Sequence, residues 1–279
     1  MVNTHDHKQL LIGQVAVVTG GSRGIGRAIA LALAAEGASV AVVARSEEQL
    51  AETTMLIREM GGEAIAIVGD VSDRQAVVQM AKQVVQQLGP VDILVNNAGR
   101  HYALGPLWLV DPDEWLKDVE GNLFSTFLCM HAIMPGMIER RQGRIINISS
   151  GAGNLPRPHS TAYTSSKAAV TRLTESAAIS ARPYDISIFA IHPGSVRTAM
   201  ADYLVNSEEA NKWVPEFRTI YDETEIPAER VGELVVFLAS GKADLLTGRF
   251  LNVYDDIQEL VRQAAAIQQQ DLYTLRLRQ

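Results

Sequence analysis

The chain has 279 residues, 47% of them apolar and 20% charged, enough for one large or two small α/β domains with a sizeable buried core. A formal net charge of −7 and the lack of any basic run longer than 139–144 exclude nucleic acid as a main partner, because a phosphate backbone needs a cationic stripe. The single cysteine, Cys129, excludes an intrachain disulfide and fits a reducing, cytoplasmic setting.

The N-terminal stretch MVNTHDHKQL is polar and has no apolar core of a secretion signal, and His5 and His7 read as part of that tail, not as a metal site. The most apolar run, 28–44, is broken by Glu36 and Gly37 and is too short to cross a bilayer, so no membrane association is expected. Strands are expected at 15–19, 39–44, 64–68, 92–96, 144–149, 186–191 and 249–253. Most of these runs are apolar throughout, the pattern of strands covered on both faces. Between them, helical periodicity occupies 24–36, 47–60, 73–88, 113–140, 160–181 and 228–240, with Gly37, Gly61, Gly62, Gly89, Pro90 and Pro183 as stop signals.

This alternation implies right-handed βαβ units and one parallel sheet with helices on both faces. No linker or internal repeat divides the chain, so 1–279 reads as a single α/β domain. Two segments fall outside the alternation. One is 199–227, rich in aromatic and charged residues; the other is 254–279, where Ile257, Leu260, Val261, Ala264 and Ile267 make a helical stripe.

The first strand runs into TGGSRGIG, with Gly20, Gly24 and Gly26 ahead of the first helix. Glycines there let the backbone approach a pyrophosphate, and a helix N-terminus offers unpaired N–H groups to the anion. The Gly-Lys-Ser/Thr of a mononucleotide loop is missing, so a dinucleotide is expected. The second strand ends in Ala44 and Arg45, where a carboxylate would hold a ribose 2′-hydroxyl. A guanidinium attracts a 2′-phosphate instead, and Arg23 adds a second cation. NADP(H) is therefore preferred, with NAD(H) possible. Asp70, after the third strand, either accepts from an adenine amino group or shares with Ser72 the task of capping the next helix.

Together TGGSRGIG (19–26), DV (70–71), NNAG (96–99), Asn122 in GNLFSTF, INISS (146–150), YTSSK (163–167) and HPGSVRT (192–198) resemble the short-chain dehydrogenase/reductase family. The similarity spans about 12–253 and is greatest to the subgroup of ketoacyl-carrier-protein reductases and sugar-alcohol dehydrogenases. It implies a Rossmann-type, doubly wound sheet of seven strands in the order 3-2-1-4-5-6-7. It implies a catalytic tetrad of Asn122, Ser150, Tyr163 and Lys167. Cofactor contacts would come from Thr19, Gly20, Ser22, Arg23, Gly24, Ile25, Gly26, Arg45, Asp70, Val71, Asn97, Ala98, Gly99, Tyr163, Lys167, Pro193, Gly194, Val196 and Thr198. Family members also suggest a homotetramer or homodimer built on helices 113–140 and 160–181.

The chemistry follows from these residue types. Tyr163 and Lys167 lie i, i+4 on one helix face and can converge. A free phenol titrates near pH ~10, and an ammonium and an oxidised nicotinamide beside it both favour the phenolate. Tyr163 would exchange a proton with a carbonyl or alcohol oxygen while Ser150 stabilises charge on it. Lys167 would hold ribose hydroxyls, and Asn122, by the resemblance, would anchor a water relaying protons to Lys167. Ser149 falls on the opposite face from Ser150.

Cys129 and His131 read as packing or interface residues, and His101, His131, His159 and His192 share no ligand spacing, so no metal is expected. Substrate is expected against 100–106, 151–159 and 199–225, with Met200, Tyr203, Trp213, Phe217 and Tyr221 as an apolar lid around Arg218. Arg157 and His159 either meet an anionic or polar substrate or lie on the surface. The tail departs from the subgroup's short ending, which argues against a fatty-acid reductase; it packs on the body or on a neighbouring subunit. The expected activity is interconversion of a ketone and a secondary alcohol (a small-molecule carbonyl or alcohol substrate). A non-catalytic NADP-binding sensor or scaffold is the alternative.

Overall fold

The computed structural model of the chain describes residues 9–277, so the reading of His5 and His7 lies outside the described residues. The apolar runs form β1 (Val15–Thr19), β2 (Ser39–Ala44), β3 (Ala64–Val68), β4 (Ile93–Asn96), β5 (Gly143–Ile148), β6 (Ile186–His192) and β7 (Phe250–Asn252). Each end lies within one residue of its expected limit, the usual uncertainty of a strand end. The strands pair in parallel in the order β3-β2-β1-β4-β5-β6-β7, a Rossmann-type sheet. The chain winds outward from β1 to β3 and returns to β4, so the carboxyl ends of β1 and β4 open a crevice at the reversal.

Side-chain alternation along each strand splits the core in two. Ala16, Val18, Val40, Val42, Ile93, Val95, Ile146 and Phe189 pack with Ile29 and Leu33 of α1 (Gly24–Ala35) and with Leu50 and Ile57 of α2 (Glu47–Glu59). Val17, Ala41, Val43, Leu94, Ile145 and Ile188 face Val77, Met80 and Val84 of α3 (Arg74–Gln87) on the other side.

The helix expected over 113–140 is interrupted. α4 (Pro112–Val119) starts on an Asp111 cap, Glu120–Phe124 widens into a π-helical turn, and α5 (Ser125–Arg140) completes the run. Gly121, a poor helix former, lies inside that turn. By length and a mean hydropathy of 1.2, Pro112–Arg140 is apolar enough to cross a bilayer. Its apolar residues Leu128, Cys129, Met130, Ile133 and Met137 are instead buried against the sheet.

α6 (Thr161–Ala181) follows β5, and the 199–227 segment folds into α7 (Ala199–Asn206), α8 (Glu208–Trp213) and α9 (Glu216–Thr224). Beyond α10 (Glu229–Ala239), the tail stripe forms α11 (Ile257–Arg262) and α12 (Ala264–Gln269). Leu260, Ala264 and Ile267 are buried in the core on the α1 side. These residues pack the tail on the chain's own body. Its end is further tied down by Phe250 N–H donating to Tyr273 O at 2.9 Å and by Arg276 pairing with Glu175 of α6 at 2.5 Å.

Candidate active site

At the crevice, the ends of β1 and β4 are knotted by side chains. The Thr19 hydroxyl accepts from the N–H groups of Asn97 and Ala98 at 3.0 and 3.1 Å. The Asn97 amide donates back to Thr19 O and Gly20 O at 2.9 and 3.2 Å. A methyl group on Gly26 would sit 2.1 Å from Gly20 O, and Gly24 adopts φ +54°, so this turn closes only with glycine at both positions.

The start of α1 differs from its neighbours. Asp73 caps α3 and Thr198 caps α7 with their side chains, whereas Arg23 gives α1 no side-chain cap. The first-turn N–H groups of α1 thus stay available, at the positive end of the helix dipole, along a cavity of about 900 Å³. That cradle fits a pyrophosphate, and the cavity runs from Arg45, Asp70 and Val71 past Asn97, Ala98 and Gly99 to Tyr163 and Lys167. Ser22, Arg23, Ile25, Pro193 and Thr198 also line it.

Several expected contacts are placed elsewhere. Thr19 is the knot just described, not part of the wall. Val196 is buried in the core, and Gly194, at φ +77°, packs against Ile226, Val253 and Tyr254. Asp70 turns its Oδ1 to the N–H and hydroxyl of Ser72 at 2.9 and 2.7 Å, while its other oxygen faces Arg45 at 3.7 Å. The cap of α3 is Asp73, so neither Asp70 nor Ser72 starts that helix. Arg45 itself is 80% exposed.

The catalytic candidates converge from β5, α6 and the π turn. The helical i, i+4 spacing brings Tyr163 and Lys167 to one wall of the cavity. Lys167 is 4% exposed and its Nζ donates to Ile148 O at 2.8 Å. Ser149 is drawn into α6, its hydroxyl donating to Lys167 O at 2.9 Å and meeting Thr171. Ser150, on extended backbone, accepts from Ala152 N–H at 3.2 Å and stands near enough to Tyr163 to pull the phenol's pKa down. Asn96 links β4 to Asn147 of β5 at 2.8 Å, and Asn147 donates onward to Thr174 of α6 at 2.8 Å.

Asn122 sits in the π turn and is fully buried. Its amide nitrogen donates to Arg100 O and Asp118 O, both at 2.7 Å, and its Oδ1 accepts from Arg100 N–H at 3.1 Å. The side chain is therefore a brace for the loop just past β4. A methyl group on Gly99 would come within 2.7 Å of Asn122 Oδ1 and 3.6 Å of Lys167 Nζ, so a glycine is needed where these two approach.

One electrostatic expectation is corrected. In the protein by itself the Tyr163 phenol is not acidic: burial pushes its pKa up, outweighing the Ser150 hydrogen bond that pulls it down, and Asp118 adds to the rise. Burial also lowers the Lys167 ammonium to about 8. Desolvation opposes both charged forms, so a lysine buried beside a phenol does not make that phenol acidic unaided.

The residue that sequence reasoning passed over is His101. It is 2% exposed, its ring lies parallel to that of Tyr163 with centroids 4.0 Å apart, and burial lowers its pKa to about 3. No motif marks it; its position next but one to Gly99, inside a loop expected to face substrate, was the available signal. Phe217 of α9 meets His101 edge-on at 5.7 Å, and Leu104, Leu204, Ala210 and Val214 join the lid helices in a small core of their own. Arg218 donates within the lid to Val205 O. His159 Nδ1 donates to Trp213 O at 2.6 Å and Arg157 faces Glu216 at 3.8 Å, tying the 151–159 loop to the lid.

Cys129 is buried with its thiol pushed up to about 12, as a packing residue should be. Among the described residues no group of His, Cys, Asp or Glu side chains is arranged to hold a metal ion.

The family model for short chain dehydrogenases matches residues 14–209. The chain is 36% identical to a short chain dehydrogenase of Pseudocercospora fijiensis over 265 residues, covering 91% of this chain and 84% of that one. It is 38% identical to a 3-oxoacyl-acyl-carrier-protein reductase of Staphylococcus aureus over 245 residues, covering 85% and 95%. Among solved structures, a variant of actinorhodin polyketide ketoreductase with NADPH superposes with a TM-score of 0.80 at 33% identity, covering 88% and 97% of the two chains.

Proposed function

Because the chain belongs to the short-chain dehydrogenase family of oxidoreductases, we propose that it interconverts a ketone and a secondary alcohol with NADP(H), Tyr163 acting as general acid and base. The observation that carries this reading is the shared wall: Tyr163 and Lys167 line the same cavity as the uncapped start of α1. The glycine turn and α1 N–H groups hold a pyrophosphate, Arg45 and Arg23 attract a 2′-phosphate, and Asp70 stands beside Arg45 for the adenine end. NADPH in the ketoreductase structure supports the same preference, and NAD(H) is the weaker alternative.

When bound, the dinucleotide supplies or accepts the hydride. Tyr163 gives its hydroxyl proton to the substrate oxygen in reduction and takes it back in oxidation. Ser150 hydrogen-bonds that oxygen as charge builds on it. Lys167, held against Ile148 O, carries a cation beside the phenol and reaches ribose hydroxyls. Asn122 keeps the Arg100 backbone in place and sets the depth of the pocket next to Gly99. Phe217 of the lid closes on His101 beside the phenol, and water shed there on substrate binding would strengthen local charge interactions.

The test is a panel of ketones and secondary alcohols with NADPH and NADH, followed by nicotinamide absorbance. Tyr163→Phe should lower kcat about 10³-fold or more while dinucleotide affinity stays within about threefold. Tight NADPH binding by the wild type with no turnover on the panel would favour a sensor and defeat the enzyme reading.

The assembly belongs to the same proposal. Phe127, Met130, Met134, Ile138 and Leu173 line an apolar depression of about 390 Å³ on the outward side of α5 and α6, with Phe124 and Phe127 exposed at its edge. Burying that surface against a second copy gives the homodimer or homotetramer. Light-scattering mass should read dimer or tetramer, and Phe127→Glu should shift it toward the monomer.

A further inference from the structure

The loop that carries His101 is held unusually firmly for a loop. Asn122 grips both the N–H and the carbonyl of Arg100 just before it. The fully buried Asp118 carboxylate accepts from the N–H groups of Tyr102 and Ala103 just after it, each at 2.9 Å. Arg100 Nε closes the bracket on Asp118 at 2.8 Å. The backbone on either side of His101 is thereby fixed by hydrogen bonds from the π turn and α4, and the ring is fixed by Tyr163 on its face and Phe217 at its edge.

Stacking alone would be served as well by an apolar ring. His101 Nε2, however, is buried and has no hydrogen-bond partner among the described residues, a costly situation for a polar group. At its lowered pKa the imidazole is neutral at any working pH, so it offers a donor or an acceptor without charge. Arg157, the cation on the far side of Phe217, already faces Glu216. An anionic group arriving there would meet charge that is already compensated.

We propose that His101 is the substrate-recognition residue of this site, its imidazole hydrogen-bonding a second, uncharged oxygen that lies one or two carbons from the carbonyl on Tyr163. The inference rests on the ketone–alcohol reading and narrows it to hydroxy ketones and oxo esters, with the matching diols and hydroxy esters in reverse. The stacked geometry makes the selection. The imidazole lies 4.0 Å, centroid to centroid, from the ring of the proposed proton donor, so on this proposal a polar atom one or two carbons from the reacting oxygen is the one it meets. A site built to hydrogen-bond a substrate oxygen rejects the analogue that lacks it, because its buried polar atom is then left unpaired.

The experiment compares hydroxyacetone with acetone, and ethyl acetoacetate with butanone, on the full chain with NADPH. Wild type should favour the oxygenated member of each pair. His101→Phe, which keeps a stacked ring, should cut kcat/KM for that member about tenfold or more and change the plain ketone less than about threefold. His101→Gln, which keeps a donor and an acceptor, should recover part of the loss and decides the matter alone if the phenylalanine variant does not melt cooperatively. NADPH affinity should be unchanged in both.

Equal losses on both members, or no loss on either, would overturn the proposal, the first outcome leaving the ring as packing for Tyr163. A preference for pyruvate over hydroxyacetone would overturn the uncharged class. Wild type active on these ketones without the pairwise preference defeats this inference alone. Wild type inactive on all of them with either dinucleotide defeats the ketone–alcohol reading, and this one with it.

Discussion

The two ends of the cavity are built differently. At the tyrosine end, nearly every polar side chain is committed to the frame: Asn96 to Asn147, Asn147 to Thr174, Ser149 to α6, Lys167 to β5, Asn122 to Arg100. At the ribose end, Arg45 is 80% exposed and its ion pair with Asp70 spans 3.7 Å. The first end sets chemistry through buried groups whose loss disturbs neighbours. The second selects a cofactor through an exposed side chain that folding barely uses, since an exposed pair at that distance contributes little.

Substitutions can sharpen or break this contrast. The largest effect after Tyr163→Phe is expected for Ser150→Ala, a fall in kcat of about 10²–10³-fold with the dinucleotide affinity intact, measured in steady state with NADPH. A comparable rise in the Kd for NADPH would show that the two ends are not separable.

Next comes Lys167→Met, read as stability. Below about pH 8 both folded and unfolded chains carry the Lys167 proton, and the burial penalty is present in full. Between about 8 and the ordinary value of 10.5 only the unfolded chain keeps it, so wild-type stability gains with rising pH from this group. The variant should therefore gain on wild type most at pH 7, by about 3 kcal/mol at most, and its advantage should shrink by pH 10. Urea midpoints at the two pH values check it; a pH-independent difference would mean that the amine is not desolvated.

Smallest is Arg45→Asp, an expected loss of about tenfold in kcat/KM with NADPH relative to NADH and no change in melting temperature. An unchanged preference would move the choice of cofactor to Arg23, and a lowered melting temperature would break the contrast itself.

The strands themselves and the tyrosine–lysine wall were legible because they depend on local periodicity, whereas the order of the strands came from the resemblance to the family. Continuous β-branched runs report strands covered on both faces, and i, i+4 spacing puts two side chains on one helix face wherever the helix lies. The π turn was not legible: 113–140 read as one helix, and Asn122 inside the turn bonds to Arg100 in a loop distant in sequence. The cap of α3 went to Asp73 and not to Asp70, because Asp70 satisfies Ser72 instead.

What the amino-acid order determined on its own was therefore the alternation of elements, the glycine turn and the residues available for proton exchange, all set by covalent spacing and backbone sterics. The tertiary structure alone decided which groups lose water together. Burial raises the Tyr163 pKa, lowers those of Lys167 and His101, and leaves His101 Nε2 without a partner among the described residues. Desolvation depends on every element that closes over a site, so no short stretch of sequence encodes it.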